Sequence, residues 1–234
     1  MYIGATLLSS VEFHKNISLV IFMSKCPLTC RYCQNVELLN DTTEKSFEEL
    51  KSEIKDSADF LDAVVISGGE PLVQCDEVIE ILEFVQSIGL KTKLDTSGIF
   101  PDKLKKIIDL NLVDYISLDV KNPFSKYRQI TGADVGFEVK KSMDIINDSE
   151  VHLEIRTTYV PTLHDKNDLI DIAGEIKADV FTIQQFQNRN VLDPALEKVE
   201  VPNPHFLAEM AKDLKPLFDG VVKVKSKEFG EVII

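Results

Sequence analysis

The stretch ISLVIFMSKCPLTCRYCQN, residues 17–35, joins an apolar run directly to a loop of cysteines, and the rest of the chain can be read outward from it. Ile17 to Phe22 is short, rich in β-branched residues and almost wholly apolar, which suits a buried strand better than a helix. The loop that follows carries Cys26, Cys30 and Cys33 with the spacing C-x3-C-x2-C. Three thiols make an odd set. A closed zinc site takes four ligands, a disulfide takes cysteines in pairs, and a ferredoxin-type cluster usually takes four thiolates.

Downstream, apolar runs alternate with amphipathic ones. DAVVISGGEP (62–71), KTKLDTSG (91–98), VDYISLDVK (113–121), VHLEIRTTYV (151–160) and DVFTIQQF (179–186) read as further strands. Helices are expected between them, at 46–61, 75–89, 101–111, about 137–147 and 165–177, and again at 203–218 before a short strand at 220–225. Ser46 followed by Glu49 has the form of a capping box, Gly89 is placed to stop a helix, and Pro101 suits a first turn. Strands separated by helices imply β-α-β units, a parallel sheet and right-handed crossovers. Six such strands fall short of the eight of a closed barrel. The expected fold is therefore α/β, a partial (β/α)6 TIM-like barrel of mostly parallel strands. It is expected as one domain over 1–234, with a core at about 15–190 and a C-terminal helix and strand as an extension.

Composition narrows the class. The 234 residues are 44% hydrophobic and 28% charged, as in an ordinary globular protein. No run reaches the ~18 apolar residues of a membrane helix, and no signal peptide is visible, so a cytoplasmic address with reduced thiols is expected. A net charge of −13 argues against a general nucleic-acid binder. The short basic stretches KLKK (103–106) and VKVKSKE (222–228) read as solvated surface.

The polar motifs fall in register with the strands. The cysteines follow the first, SGGEP (67–71) the second and DTSG (95–98) the third, while DVK (119–121), RTT (156–158) and QQF (184–186) close the next three. In parallel β/α folds the active site lies at these carboxyl ends, so the alignment points to an enzyme. The cysteines admit two readings at this level. Cys75 or one of His14, His152, His164 and His205 could complete a zinc site, making a non-catalytic zinc-binding module; or three thiolates could hold an iron–sulfur cluster with one open iron.

The C-x3-C-x2-C spacing, with Tyr32 just before the last cysteine, resembles the signature of the radical S-adenosylmethionine (SAM) superfamily. The resemblance implies a radical SAM fold and a [4Fe–4S] cluster on Cys26, Cys30 and Cys33, with SAM chelated at the fourth iron. It further implies reductive cleavage of SAM to a 5′-deoxyadenosyl radical. GGEP (68–71) resembles the superfamily's second motif, which places Gly68, Gly69 and Glu70 at the methionyl end of SAM. DTSG and DVK resemble the DTNG and D-x-K segments of the branch that activates glycyl-radical enzymes. That assigns Asp119 and Lys121 beside SAM as the catalytic pair, and Asp95, Thr96 and Ser97 to the cavity wall, with Ser97 standing where the branch has Asn.

EIRTTYVPT (154–162) and FTIQQF (181–186) resemble anaerobic ribonucleoside-triphosphate reductase activating proteins, which brings Arg156, Thr158 and Gln184 or Gln185 to the cofactor, with Tyr32 as a wall. The resemblance runs from about Ser9 to Phe186. It implies a glycyl-radical enzyme, anaerobic ribonucleotide reductase-like, as partner, and a flavodoxin or ferredoxin as electron donor; hydropathy and net charge argue against a membrane and against nucleic acid as partners. The competing expectation is a radical SAM enzyme acting on a small molecule or nucleotide, as carboxy-deazaguanine synthases do.

Overall fold

The computed structural model describes residues 1–234, which form two compact bodies. The first comprises Met1–Pro27, Glu37–Thr96 and Asp102–Ser117. It contains β1 (Ile3–Ser9), β2 (Ser18–Met23), α1 (Phe47–Ser57), β3 (Ala63–Gly68), α2 (Cys75–Ser87), β4 (Lys91–Thr96) and nearly all of α3 (Pro101–Asp109). Strands β2, β3 and β4 are parallel, with Val20 opposite Val65 and Ile66 opposite Leu94. Val20, Val64, Val65, Ile66 and Leu94 are essentially inaccessible, as expected of parallel strands covered on both faces.

Helix α1 begins at the expected capping box. Ser46 Oγ accepts from the Glu49 amide, and the Glu49 carboxylate accepts from the Ser46 amide at 2.8 Å. Helix α2 buries Val78, Ile81, Leu82 and Val85, a helical spacing in which each large side chain removed from water contributes about 1.5–3 kcal/mol. Gly89, just past its end, has φ +79°, a conformation that a β-carbon would disfavour.

The second body comprises Leu28–Val36, Ser97–Pro101 and Leu118–Ile234. It takes the end of β5 (Tyr115–Asp119), then α4 (Arg128–Thr131), α5 (Gly136–Asn147), β6 (His152–Tyr159), α6 (Lys166–Glu175), β7 (Val180–Gln185), α7 (Pro204–Leu214), β8 (Val221–Ser226) and β9 (Gly230–Ile233). β6, β7 and β8 are parallel, and Thr158 lies opposite Gln184. Phe181 and Ile183 on one face of β7 are fully buried, whereas Gln184 on the other is partly open.

The strands hydrogen-bond in chain order from β1 to β9, and the sheet does not close, so the fold is the expected α/β partial barrel. Three elements were not legible in the sequence. β1 pairs antiparallel with β2 as an edge strand that leaves Leu7 and Leu8 exposed, so it lacks the alternation of a half-buried strand. β9 is a four-residue return antiparallel to β8, and α4 is a single turn, both too short to carry a periodic signal. The short strand at 220–225 is also more than a tail: β8 continues the parallel order beside β7 after α7.

Candidate active site

In the first body the cysteine loop and the glycine turn are built against each other. The Gly69 amide donates to the Met23 carbonyl and the Glu70 amide to the Lys25 carbonyl, both at 2.9 Å. A β-carbon on Gly69 would stand 2.3 Å from the Lys25 carbonyl oxygen and 3.3 Å from Cys26 Cβ. Gly68 has φ +117°, and a β-carbon there would meet the Met23 backbone at 2.3 Å. The two glycines are thus required by close backbone approach at the root of the loop that carries Cys26.

Glu70 is fully buried, and its Oε1 accepts from the Leu72 amide at 3.0 Å and from Thr96 Oγ1 at 2.8 Å. It therefore ties the turn after β3 to the end of β4. Asp95, next to Thr96, accepts from Ser67 Oγ at 3.1 Å and pairs with Lys93 Nζ at 3.4 Å. Lys93 is itself buried against the rings of Phe13 and Tyr115 and donates to the Glu12 carbonyl. Cys75 is a buried member of α2 whose thiol lies 3.9 Å from the Lys103 carbonyl.

In the second body, Cys30 and Cys33 share one turn, closed by the Cys33 amide donating to the Cys30 carbonyl at 2.9 Å. The turn is pinned on two sides. The Thr29 and Arg31 amides donate to the carbonyls of Thr131 and Ile130, and Asp193 Oδ2 accepts Arg31 Nε and Nη2 at 2.9 and 2.8 Å. Tyr32 is buried in an apolar cluster with Ile130, Val160, Phe186, Val191 and Leu196. Burial pushes the thiols of Cys30 and Cys33 above their ordinary range, and the nearby Lys121 ammonium opposes that shift in both.

Asp119, Lys121 and Arg156 form a charged node. Asp119 Oδ1 accepts from Arg156 Nε and Nη2 at 2.9 Å each, and Oδ2 accepts from Lys121 Nζ at 3.2 Å. Burial alone would favour the neutral amine of Lys121, but the charge of Asp119, with further contributions from Tyr32, Cys30 and Tyr127, outweighs it and holds the ammonium well above its usual range. Tyr127 Oη accepts from the Lys121 amide at 3.1 Å and donates to the Asp119 carbonyl at 3.4 Å, and His164 Nε2 lies 2.9 Å from the Lys121 carbonyl.

On the neighbouring strands Thr158 Oγ1 donates to Gln184 Oε1 at 3.3 Å. Gln185 faces the other way, its amide spent on the Pro202 carbonyl, Glu228, Gln187 and the Lys227 amide. Of the two glutamines, Gln184 shares its face with Thr158 and Arg156. Ser97 is buried beside Gly98, whose carbonyl accepts from Ser142 Oγ at 2.6 Å.

Lys93 and Tyr127 have no role in the sequence reading, and His164 enters it only as a possible zinc ligand. Lys93 could have been found, because it precedes Asp95 by two and so shares its strand face. Tyr127 and His164 carry no local signal. All four cysteines are free of disulfides, and no three Cys, His, Asp or Glu side chains are gathered as they would be around a single metal ion. In a cube-shaped cluster each thiolate binds a different iron, so its ligands are spread more widely. No helix is long and apolar enough to cross a membrane.

The sequence profile of the radical SAM superfamily matches residues 20–174, and the chain belongs to that superfamily. It is 36% identical over 228 residues to a Methanocaldococcus jannaschii protein with the provisional name of a glycyl-radical enzyme activating enzyme, covering 94% of this chain and 93% of that one. It is also 29% identical over 164 residues to the pyruvate formate-lyase-activating enzyme of Listeria monocytogenes, covering 64% of each. Among solved structures, Streptococcus suis SuiB bound to SAM superimposes with a TM-score of 0.70 at 16% identity, over 88% of this chain and 50% of that one. A domain of the pyruvate formate-lyase-activating enzyme from Bacteroides vulgatus gives 0.54 at 12% identity, over 70% and 99%.

The protein is thus a radical SAM enzyme, and its cofactors are those of the superfamily, a [4Fe–4S] cluster and SAM. The residues present fit these groups: free thiols, with the Lys121 ammonium acting on Cys30 and Cys33, and a glycine turn packed on the loop that carries Cys26.

Proposed function

We propose that Cys26, Cys30 and Cys33 hold three irons of the cluster, that SAM occupies the fourth, and that the enzyme generates a glycyl radical on an anaerobic ribonucleotide reductase-like partner. When bound, the cluster and SAM supply the one-electron chemistry that yields a 5′-deoxyadenosyl radical. The chain's own residues bind and orient. Gly68 and Gly69 keep bulk away where the methionyl end of SAM would lie, and Glu70 holds Thr96 and the turn in shape. Lys121 offers a fixed positive charge for the SAM carboxylate, held in place by Asp119, which Arg156 braces from the other side. Thr158 and Gln184 add polar contacts from β6 and β7, Asp95 and Ser97 line the wall, and Tyr32 shields the cysteine turn from water.

The observation that carries this reading is the half-buried, hydrogen-bonded Asp119–Lys121–Arg156 node, whose ammonium acts electrostatically on both Cys30 and Cys33. The match to the Methanocaldococcus protein across nearly the whole chain supports the glycyl-radical assignment. A flavodoxin or ferredoxin would supply the electron, and the two bodies serve as one radical SAM domain. The test is anaerobic reconstitution with iron and sulfide, followed by incubation with SAM, reductant and candidate partners. The expected result is 5′-deoxyadenosine together with a glycyl-radical electron paramagnetic resonance signal on the partner. SAM cleavage coupled instead to a small-molecule substrate would overturn the partner assignment, and a colourless zinc protein would overturn the whole reading.

A further inference from the structure

Strand β5 ends at Asp119, so the amide and carbonyl of Lys121 lie beyond the ladder. A buried backbone group must find a partner elsewhere. Both groups of Lys121 are taken by side chains: its amide donates to Tyr127 Oη at 3.1 Å, and its carbonyl meets His164 Nε2 at 2.9 Å. His164 is 3% exposed and stands in the turn between β6 and α6. Its Nδ1 accepts from the Val160 amide at 3.1 Å, and its own amide donates to the Val160 carbonyl at 2.9 Å. An imidazole nitrogen that accepts carries no proton, so in the neutral ring the proton sits on Nε2 and is donated to the Lys121 carbonyl. The next residue, Asp165, is fixed by its own capping box with Asp168 at the start of α6, so the turn that presents the imidazole is braced at both ends.

We propose that His164 is a positioning residue for SAM binding: with its turn closed on Val160, it holds the carbonyl of Lys121 and so sets where the Lys121 ammonium points. This rests on the reading that Lys121 contacts SAM. The chemistry of the two ring nitrogens separates the role from mere packing. His164→Asn places an oxygen where Nδ1 stands and can still accept from Val160, but it is too short to reach Lys121. His164→Gln carries a donor out to the position of Nε2.

The test measures the SAM dissociation constant and the melting temperature of the reconstituted enzyme and of the variants His164→Asn, His164→Gln, Lys121→Met and the double variant His164→Asn with Lys121→Met. His164→Asn is expected to weaken SAM binding about 5- to 10-fold, the worth of one positioned hydrogen bond. His164→Gln should return it to within about 2-fold, although both variants lose a similar amount of thermal stability. The double variant should bind no more weakly than Lys121→Met alone, because the two residues act as one unit.

The proposal is overturned if Lys121→Met weakens binding while His164→Asn does not, or if Asn and Gln change affinity equally and in step with melting temperature. Unchanged affinity in Lys121→Met would instead overturn the assignment of Lys121 to SAM, so the two failures are distinguishable.

Discussion

Glu70 and Thr96 are joined by a 2.8 Å hydrogen bond between side chains that are both almost completely buried. The bond connects the glycine turn after β3 to the end of β4, two segments read from the sequence as separate contributors to one site. Glu70→Ala leaves the Thr96 hydroxyl and the Leu72 amide without this acceptor, at a cost of about 1–3 kcal/mol. For a chain of this size that corresponds to a melting temperature lowered by roughly 2–10 °C, measurable by circular dichroism of the cluster-free protein. An unchanged melting temperature would show that the bond is not structural.

Gly69→Ala tests the close approach. Its β-carbon would meet the Lys25 carbonyl at 2.3 Å, and backbone cannot step aside as the end of a flexible side chain can. The cysteine loop must therefore shift at Cys26. The expected outcome is iron content after reconstitution well below that of wild type, with Gly89→Ala as the contrast. Gly89 has open space around its missing β-carbon, so only the strain of φ +79° applies, and its iron content should match wild type.

Cys26→Ala, Cys30→Ala and Cys33→Ala should each abolish SAM cleavage and the cluster absorbance, because one missing thiolate leaves a second iron without a protein ligand. Cys75→Ala should retain both, at no more than the modest stability cost of a small buried side chain. Loss of the cluster in Cys75→Ala would replace the three-ligand assignment with a four-ligand one.

Asp119→Asn removes the carboxylate charge paired with Lys121 and leaves Arg156 facing a neutral amide. The node is half-buried, so the loss should fall between the ~1 kcal/mol of a surface pair and the ~3–5 kcal/mol of a fully buried one. SAM binding should weaken by more than 10-fold, read by equilibrium dialysis against the reconstituted enzyme. Affinity equal to wild type would remove Asp119 from the binding site.

His164 supplies a pH dependence. Burial lowers its affinity for a proton, the residues around it being Lys121 from the end of β5, Tyr159 from β6, and Asp165 and Asp168 at the start of α6. With the folded value below the unfolded one, near 6.5, the unfolded chain binds more protons as the pH falls. The stability this ring contributes is fully present above about pH 6.5 and is lost below it, down through the depressed folded value. Urea midpoints of the cluster-free protein should therefore fall between pH 7.5 and 5.5, and His164→Asn should fall less over the same interval. Equal slopes would show that the ring does not titrate across this window.

The order of the strands, their parallel sense and the open barrel could be read from the chain alone. Buried parallel strands such as 63–68 and 180–185 open on largely apolar runs, AVVI and VFTI, and their ends are marked by polar residues. The short or one-sided elements escaped, since β1, β9 and α4 carry too few residues in phase to register. The class of chemistry was legible as well, because Cys26, Cys30 and Cys33 lie within one loop and covalent spacing brings them together.

What only the tertiary structure decided is how side chains far apart in sequence serve one another. Glu70 turns inward to Thr96, Gln184 and not Gln185 joins Thr158, Lys93 backs Asp95, and His164 reaches the carbonyl of Lys121, 43 positions away in sequence. The physical reason is that a local pattern records which face of a strand or helix is apolar. The partner of a buried polar atom is set by which elements the fold lays beside it.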